Sequence, residues 1–245
     1  MKKIFAANWK LFKSPQETRE FFSQWKEAFN GGKNEIVFFP SAISIEAAST
    51  SIQEMHAKYE LNFGVQNAFT QAQGAFTGEN SAAVVKGLGG KYILIGHSER
   101  RQIFGEKNDF LAEKVAFTQS LDLVPMLCVG ETLQEREANK TFEVLKTQLA
   151  DGLKKAEKNK TLAIAYEPVW AIGTGKVATP EQVQQTHQDV FEILKQLGFS
   201  APILYGGSVK PDNAAGLIRI PHVDGFLVGG ASLEIASFKK ICESI

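Results

Sequence analysis

A chain of 245 residues, 44% hydrophobic and 22% charged, is long enough to bury one large core and has the composition of an ordinary globular protein. Lys plus Arg and Asp plus Glu stand at 27 each, so no overall field draws the chain to nucleic acid or to an anionic membrane, and an anionic substrate needs a local site. Cys128 and Cys242 are too few for a disulfide framework and lack metal-ligand spacing, so they read as buried reduced thiols and point to a cytoplasmic setting.

The start, MKKIFAANWK, is broken by Asn8 and Lys10 and does not read as a signal peptide; no run approaches membrane-spanning length. Eight short apolar runs follow along the chain: Ile4–Ala7, Ile36–Phe39, Asn62–Val65, Tyr92–Ile95, Leu123–Val129, Leu162–Tyr166, Ile203–Tyr205 and Gly225–Val228. Amphipathic stretches separate them. Ser14-Pro15-Gln16-Glu17 is a capping box with Pro at the first helical position, and Phe21, Phe22, Trp25 and Phe29 follow at helical spacing. Thr179-Pro180-Glu181-Gln182 repeats that start and runs to Gly198. Further helices are expected over Ile45–Tyr59, Ser81–Leu88, Phe110–Ser120, Thr141–Lys158, Asn213–Ile218 and Ile235–Glu243. Strands that alternate with helices pair in parallel, and runs apolar throughout are covered on both faces. Eight such units predict an α/β chain folded as a single-domain (β/α)8 barrel over 1–245, eight parallel strands ringed by helices.

In such a barrel the residues just after each strand carry the chemistry. The first strand is followed by Asn8 and Lys10, the fourth by Gly96-His97-Ser98-Glu99-Arg100, and the sixth by Glu167. Burial of that carboxylate at a hydrophobic rim predicts a raised pKa and a general base. Pro168 stops the strand, Trp170 is an apolar anchor, and Gly173, Thr174, Gly175 and Lys176 read as a phosphate-touching hinge; the bland alternative is a capping glutamate before a Gly-rich turn. Gly206-Gly207-Ser208 and Gly229-Gly230 follow strands seven and eight, where glycine lets backbone N–H groups approach an anion. His97 precedes a helix start whose dipole disfavours imidazolium. Glu99 and Arg100 are at least as readable as a structural ion pair, and Lys10, a lysine at a barrel strand end, is also open to reading as a Schiff-base former. His56, His187 and His222 have no metal-ligand spacing and receive no role, and Gly173-Thr174-Gly175-Lys176 lacks the remainder of a nucleotide P-loop.

Taken together, Asn8 and Lys10, GHSERR (Gly96–Arg101), AYEPVWAIGTGK (Ala165–Lys176), YGGS (Tyr205–Ser208) and VGGASL (Val228–Leu233) resemble the triosephosphate isomerase family from end to end. The resemblance implies cofactor-free, metal-free interconversion of dihydroxyacetone phosphate and D-glyceraldehyde 3-phosphate through an enediolate, as in glycolysis and gluconeogenesis. It implies Glu167 as base, His97 as neutral electrophile, Lys10 as the charge-stabilising cation and substrate contact, Asn8 as a substrate-orienting amide and Glu99 as a supporting group. Backbone amides at Gly173, Ser208, Gly229 and Gly230 match a phosphate clamp. Pro168, Val169, Trp170, Ala171, Ile172, Gly173, Thr174, Gly175 and Lys176 match a closing lid. The stretch from Gln66 through Glu79 resembles the family's dimer loop; the homodimer would form around Phe69–Glu79, with Thr77 entering the neighbour's site. Neither nucleic acid nor membrane is implied as a partner.

Overall fold

The computed structural model describes residues 2–29, 31–55, 60–172 and 176–245. Eight parallel strands close on themselves in sequence order: β1 (Ile4–Asn8), β2 (Glu35–Phe39), β3 (Leu61–Val65), β4 (Tyr92–Ile95), β5 (Val124–Val129), β6 (Ala163–Tyr166), β7 (Ile203–Tyr205) and β8 (Gly225–Val228). The seam joins β1 to β8, with Phe5 opposite Phe226 and Ala7 opposite Val228. Each expected strand lies within one residue of the one observed at either end.

The helices outside are α1 (Pro15–Ala28), α2 (Ile45–Gln53), α3 (Ala82–Gly87), α4 (Ser98–Gln102), α5 (Asn108–Ser120), α6 (Leu133–Glu137), α7 (Thr141–Gly152), α8 (Pro180–Leu197), α9 (Pro211–Leu217) and α10 (Ile235–Cys242). Both expected capping boxes form: Ser14 with Glu17, and Thr179 with Gln182. Gly198 ends α8 with φ at 79°, the left-handed region that glycine enters without penalty. Three expectations need correction. The helix from Thr141 stops at Gly152, after which Lys154 reaches Asp109 near the start of α5 at 2.5 Å. The helix from Ile45 gives way after Gln53, and residues 56–59 lie outside the described residues. The short α4 and α6 lie where no full helix was expected, since five residues carry too little periodicity to be read.

Alternation along the strands makes two cores. Ile4, Ala6, Val37, Phe39, Leu94, Met126, Cys128, Ala165 and Leu204 fill the barrel, whereas Phe5, Phe38, Ile93, Leu127, Ile164 and Phe226 point out beneath the helices. Beneath α1 the outer layer is a cluster of aromatic rings. There Trp25 stacks on Phe29 at 4.9 Å and meets Phe38 edge-on at 5.6 Å, while Trp9 packs on Phe21 at 4.8 Å. Trp9 is fully buried, with its indole N–H donated to the Ser232 carbonyl at 3.3 Å, and so it fixes the base of the loop that carries Lys10. Both cysteines are buried free thiols, as expected, and burial pushes each pKa well up. No helix among the described residues is long and apolar enough to cross a membrane.

Candidate active site

Strand ends on one face of the barrel converge on an open cavity of about 360 Å³ lined by Asn8, Lys10, His97, Glu167, Ile172, Ser208, Gly229 and Gly230, among others. That volume lies within the usual range for small-molecule sites.

β6 delivers Glu167 to the rim, where it is only 2% exposed. Gly206 makes room for it, since a Cβ at that position would lie 3.0 Å from Glu167 Cγ. One carboxylate oxygen accepts the Ser98 backbone N–H at 2.9 Å. The other lies 2.9 Å from His97 Nε2 and 3.4 Å from the Ser98 hydroxyl. This overturns the expected raised pKa for the conformation seen. Burial does push the carboxyl up, but the His97 ring and the Ser98 N–H outweigh it and hold Glu167 below its ordinary value. Within the Gly96–Arg101 motif the sequence assigns Ser98 no role, yet it supplies two of the three contacts to Glu167. The available signal was its place at the first turn of α4, where N–H groups have no partner within the helix.

His97 is the residue that caps α4, its Nδ1 accepting the Glu99 N–H at 3.3 Å. An accepting Nδ1 leaves the proton of a neutral ring on Nε2, aimed at Glu167. The expectation of a simply depressed pKa is corrected too. Burial lowers it and Lys10 opposes a second charge, yet the Glu167 carboxylate raises it overall while the two are in contact.

Lys10 sits past the end of β1 with φ at 50°, an uncommon left-handed conformation for a lysine. It is held there from both sides: its N–H donates to Asn8 Oδ1 at 3.1 Å, and its carbonyl accepts from Gln66 Nε2 at 2.8 Å. Its ammonium meets Glu99 Oε1 at 2.6 Å. Glu99 and Arg100 are therefore not paired with each other; Arg100 Nε donates instead to Glu106 Oε1 at 2.7 Å.

Ser208 donates its hydroxyl to the Ala171 carbonyl at 3.2 Å, which ties the loop after β7 to the expected lid. Val169–Ala171 form a 3₁₀ turn, and the Trp170 indole N–H reaches Glu131 Oε1 at 2.9 Å beneath Arg136. Pro168 is buried, Ile172 lines the cavity, and Lys176 is exposed; Gly173, Thr174 and Gly175 lie outside the described residues. Gly229 and Gly230 line the cavity beside Lys10, where a second 3₁₀ turn, Gly230–Ser232, begins. Thr77 is exposed on the loop after β3 and is not among the residues lining this cavity. Among the described residues no group of three or more His, Cys, Asp and Glu side chains forms a metal site. His187 is buried in the core between Tyr166 and Tyr205, and His222 stacks on Phe191.

The model of the triosephosphate isomerase family matches residues 3–245. The chain belongs to the triosephosphate isomerase family. The triosephosphate isomerase of Bdellovibrio bacteriovorus is 71% identical over 242 residues, covering 98% of this chain and 99% of that one. Those of Endomicrobium trichonymphae and Oleidesulfovibrio alaskensis are each 42% identical, over 98% of this chain and 97% and 99% of theirs. A buried carboxylate, an imidazole N–H and an ammonium facing one cavity are the parts an isomerase needs to move a proton between neighbouring carbons.

Proposed function

We propose that this chain interconverts dihydroxyacetone phosphate and D-glyceraldehyde 3-phosphate, with Glu167 as the general base. The observation that carries the reading is the facing of Glu167, His97 and Lys10 onto one cavity that Gly206, Gly207, Gly229 and Gly230 also line. Glu167 removes a proton from the carbon beside the carbonyl. The C–H electron pair becomes the C=C bond of the enediolate while the carbonyl π pair moves onto oxygen. Lys10 stabilises that charge, and His97 Nε2 hydrogen-bonds the two oxygens and passes the hydroxyl proton from one to the other. The same carboxyl then returns its proton to the neighbouring carbon. Asn8 orients the substrate, and Glu99 holds the Lys10 ammonium. Backbone amides of Ser208, Gly229, Gly230 and Gly173 take the phosphate.

A glutamate base beside a neutral histidine under a closing lid is the family's established chemistry, and the distances add the starting state of each group. At rest Glu167 is held weakly basic by His97 and Ser98. On turning toward the substrate it loses those donors while remaining buried, so its basicity rises where the proton is taken. His97 loses in the same movement the carboxylate that favours its charged form, which leaves a neutral donor. The lid, Pro168 to Lys176, closes on the phosphate and excludes water from the enediolate.

The same reading makes the protein a cytoplasmic homodimer. Leu11 is 96% exposed and Ile103 72%, and with Phe12 and Phe104 they border a second cavity beside Lys10, His97 and Glu99. The loop Phe69–Glu79, stiffened by Phe69 against Phe76 at 4.2 Å, is the segment that fills it from a second copy, bringing Thr77 to Lys10. A coupled assay with glyceraldehyde 3-phosphate tests the activity, and absence of turnover overturns it. Light scattering at micromolar concentration tests the dimer, and a monomer mass overturns it.

A further inference from the structure

The main chain of Glu167 rests on residues outside the cavity. Its N–H donates to the Val129 carbonyl at 2.8 Å, and the Val169 N–H donates to the Glu131 carbonyl at 3.2 Å, so residues 167–169 lie along 129–131. Gly130, at the centre of that seat, has no room for a side chain: a Cβ would fall 1.7 Å from the Glu167 carbonyl oxygen. The backbone of Gly130 is thus a surface on which the peptide of Glu167 is pressed.

Gly130's own polar groups are both taken by one side chain. Its N–H donates to Gln148 Oε1 at 2.8 Å, and its carbonyl accepts from Gln148 Nε2 at 3.0 Å. The ladder between β4 and β5 ends at Ile95 opposite Leu127, because β4 leaves the barrel wall at His97 to enter α4. A carboxamide reaching in from the half-buried side of α7 therefore does for Gly130 what a strand partner would do. Only glutamine offers a donor and an acceptor at that reach. Glutamate lacks the donor, and asparagine is shorter by one methylene.

We propose that Gln148 is a positioning residue for the base: by pinning Gly130 toward α7 it sets the height of the Glu167 main chain at the cavity rim. The proposal rests on Glu167 acting as the base. Gln148 is absent from the residues lining the cavity, and the phosphate and carbonyl contacts proposed for Lys10, Gly229 and His97 do not depend on it. Its loss displaces the carboxylate while leaving substrate binding in place, and proton transfer falls steeply with sub-ångström misplacement. The signature is a loss in kcat without a rise in KM.

The test compares wild type, Gln148→Met and Gln148→Glu in the coupled assay with glyceraldehyde 3-phosphate. Gln148→Met is expected to lose about tenfold in kcat, with KM within about twofold of wild type. Gln148→Glu adds a readout that a purely structural role does not move. Near pH 8 its carboxylate faces the Gly130 carbonyl without a donor. Half-burial against that carbonyl favours the neutral acid and pushes the carboxyl up, so that toward acid pH the protonated form supplies one. Its kcat relative to wild type therefore rises about threefold or more toward acid pH, while the Gln148→Met ratio stays flat. A folded Gln148→Met with wild-type kcat overturns the positioning role, as does a pH-independent ratio for Gln148→Glu, which decides alone if the methionine variant does not fold. Absence of turnover in the wild type overturns the isomerase reading itself, an outcome distinct from wild-type turnover with an unaltered variant.

Discussion

At the floor of the barrel, Glu35 Oε1 accepts from Lys91 Nζ at 2.6 Å, Asn62 Nδ2 at 2.8 Å and the Tyr92 hydroxyl at 2.9 Å. At the rim, Glu167 takes the Ser98 N–H at 2.9 Å, His97 Nε2 at 2.9 Å and the Ser98 hydroxyl at 3.4 Å. Both carboxylates are buried and have three donors within reach, so neither burial nor the number of partners separates them. The donors do. Of those of Glu35, the Asn62 amide and the Tyr92 hydroxyl are held on the first residues of β3 and β4, inside the closed ladder, and Lys91 beside them reaches in from a half-exposed position. Those of Glu167 are a titratable ring and the first turn of a short helix beside an open cavity, where a substrate oxygen is an alternative partner for the ring. A carboxylate is structural when its donors are fixed, and available for chemistry when they can be exchanged.

The sharpest way to break this contrast is Glu167→Asp, which keeps the charge and withdraws it by one methylene. Turnover is expected to fall about a thousandfold while the melting temperature and the binding of inorganic phosphate stay near wild type; near-normal turnover in the coupled assay removes Glu167 from its role. His97→Gln is expected to cost about a hundredfold in turnover. Without the ring beside it, the Glu167 carboxyl moves up from its lowered value, a shift read from ¹³C-labelled glutamate in the free enzyme. The sign follows: a carboxyl held low adds stability above its unfolded pKa that is lost as pH falls through the folded one. That acid-side loss is smaller in His97→Gln.

Two gentler changes test the immobile half. His187 is buried neutral, its pKa lowered by burial to about 4, with Nδ1 against the His222 carbonyl at 2.9 Å. The unfolded chain takes up the proton first, so stability is intact near pH 7 and declines as pH drops from 6.5 toward 4, by about 3 kcal/mol when complete. Urea unfolding at pH 7 and near pH 4.5, with His187→Gln as the flattened control, measures it. Glu35→Ala strands the buried Tyr92 hydroxyl and lowers stability by about 2 kcal/mol while turnover stays within about twofold. A large loss of turnover there would show the floor to be coupled to the rim.

The eight strands were legible because a strand covered on both faces is apolar at every position, as AIAY and GFLV are, and glycine, proline and capping signals bound each run. The candidate site was legible because a closed parallel barrel presents its chemistry at one set of strand ends, which made Lys10, His97 and Glu167 neighbours before any distance was known. The state of those groups was not legible. That Glu167 rests on His97 and Ser98, with its pKa held down instead of raised, depends on a 2.9 Å contact between residues 70 positions apart. The same holds for Arg100, whose partner is Glu106 and not the adjacent Glu99, and for Gln148, an unremarkable polar residue of α7 until β4 leaves Gly130 without a strand partner. Local pattern records which surfaces must be buried, because burial acts residue by residue. Which donor meets which acceptor is decided by where the closed barrel brings distant backbone together, and that geometry exists only in the folded chain.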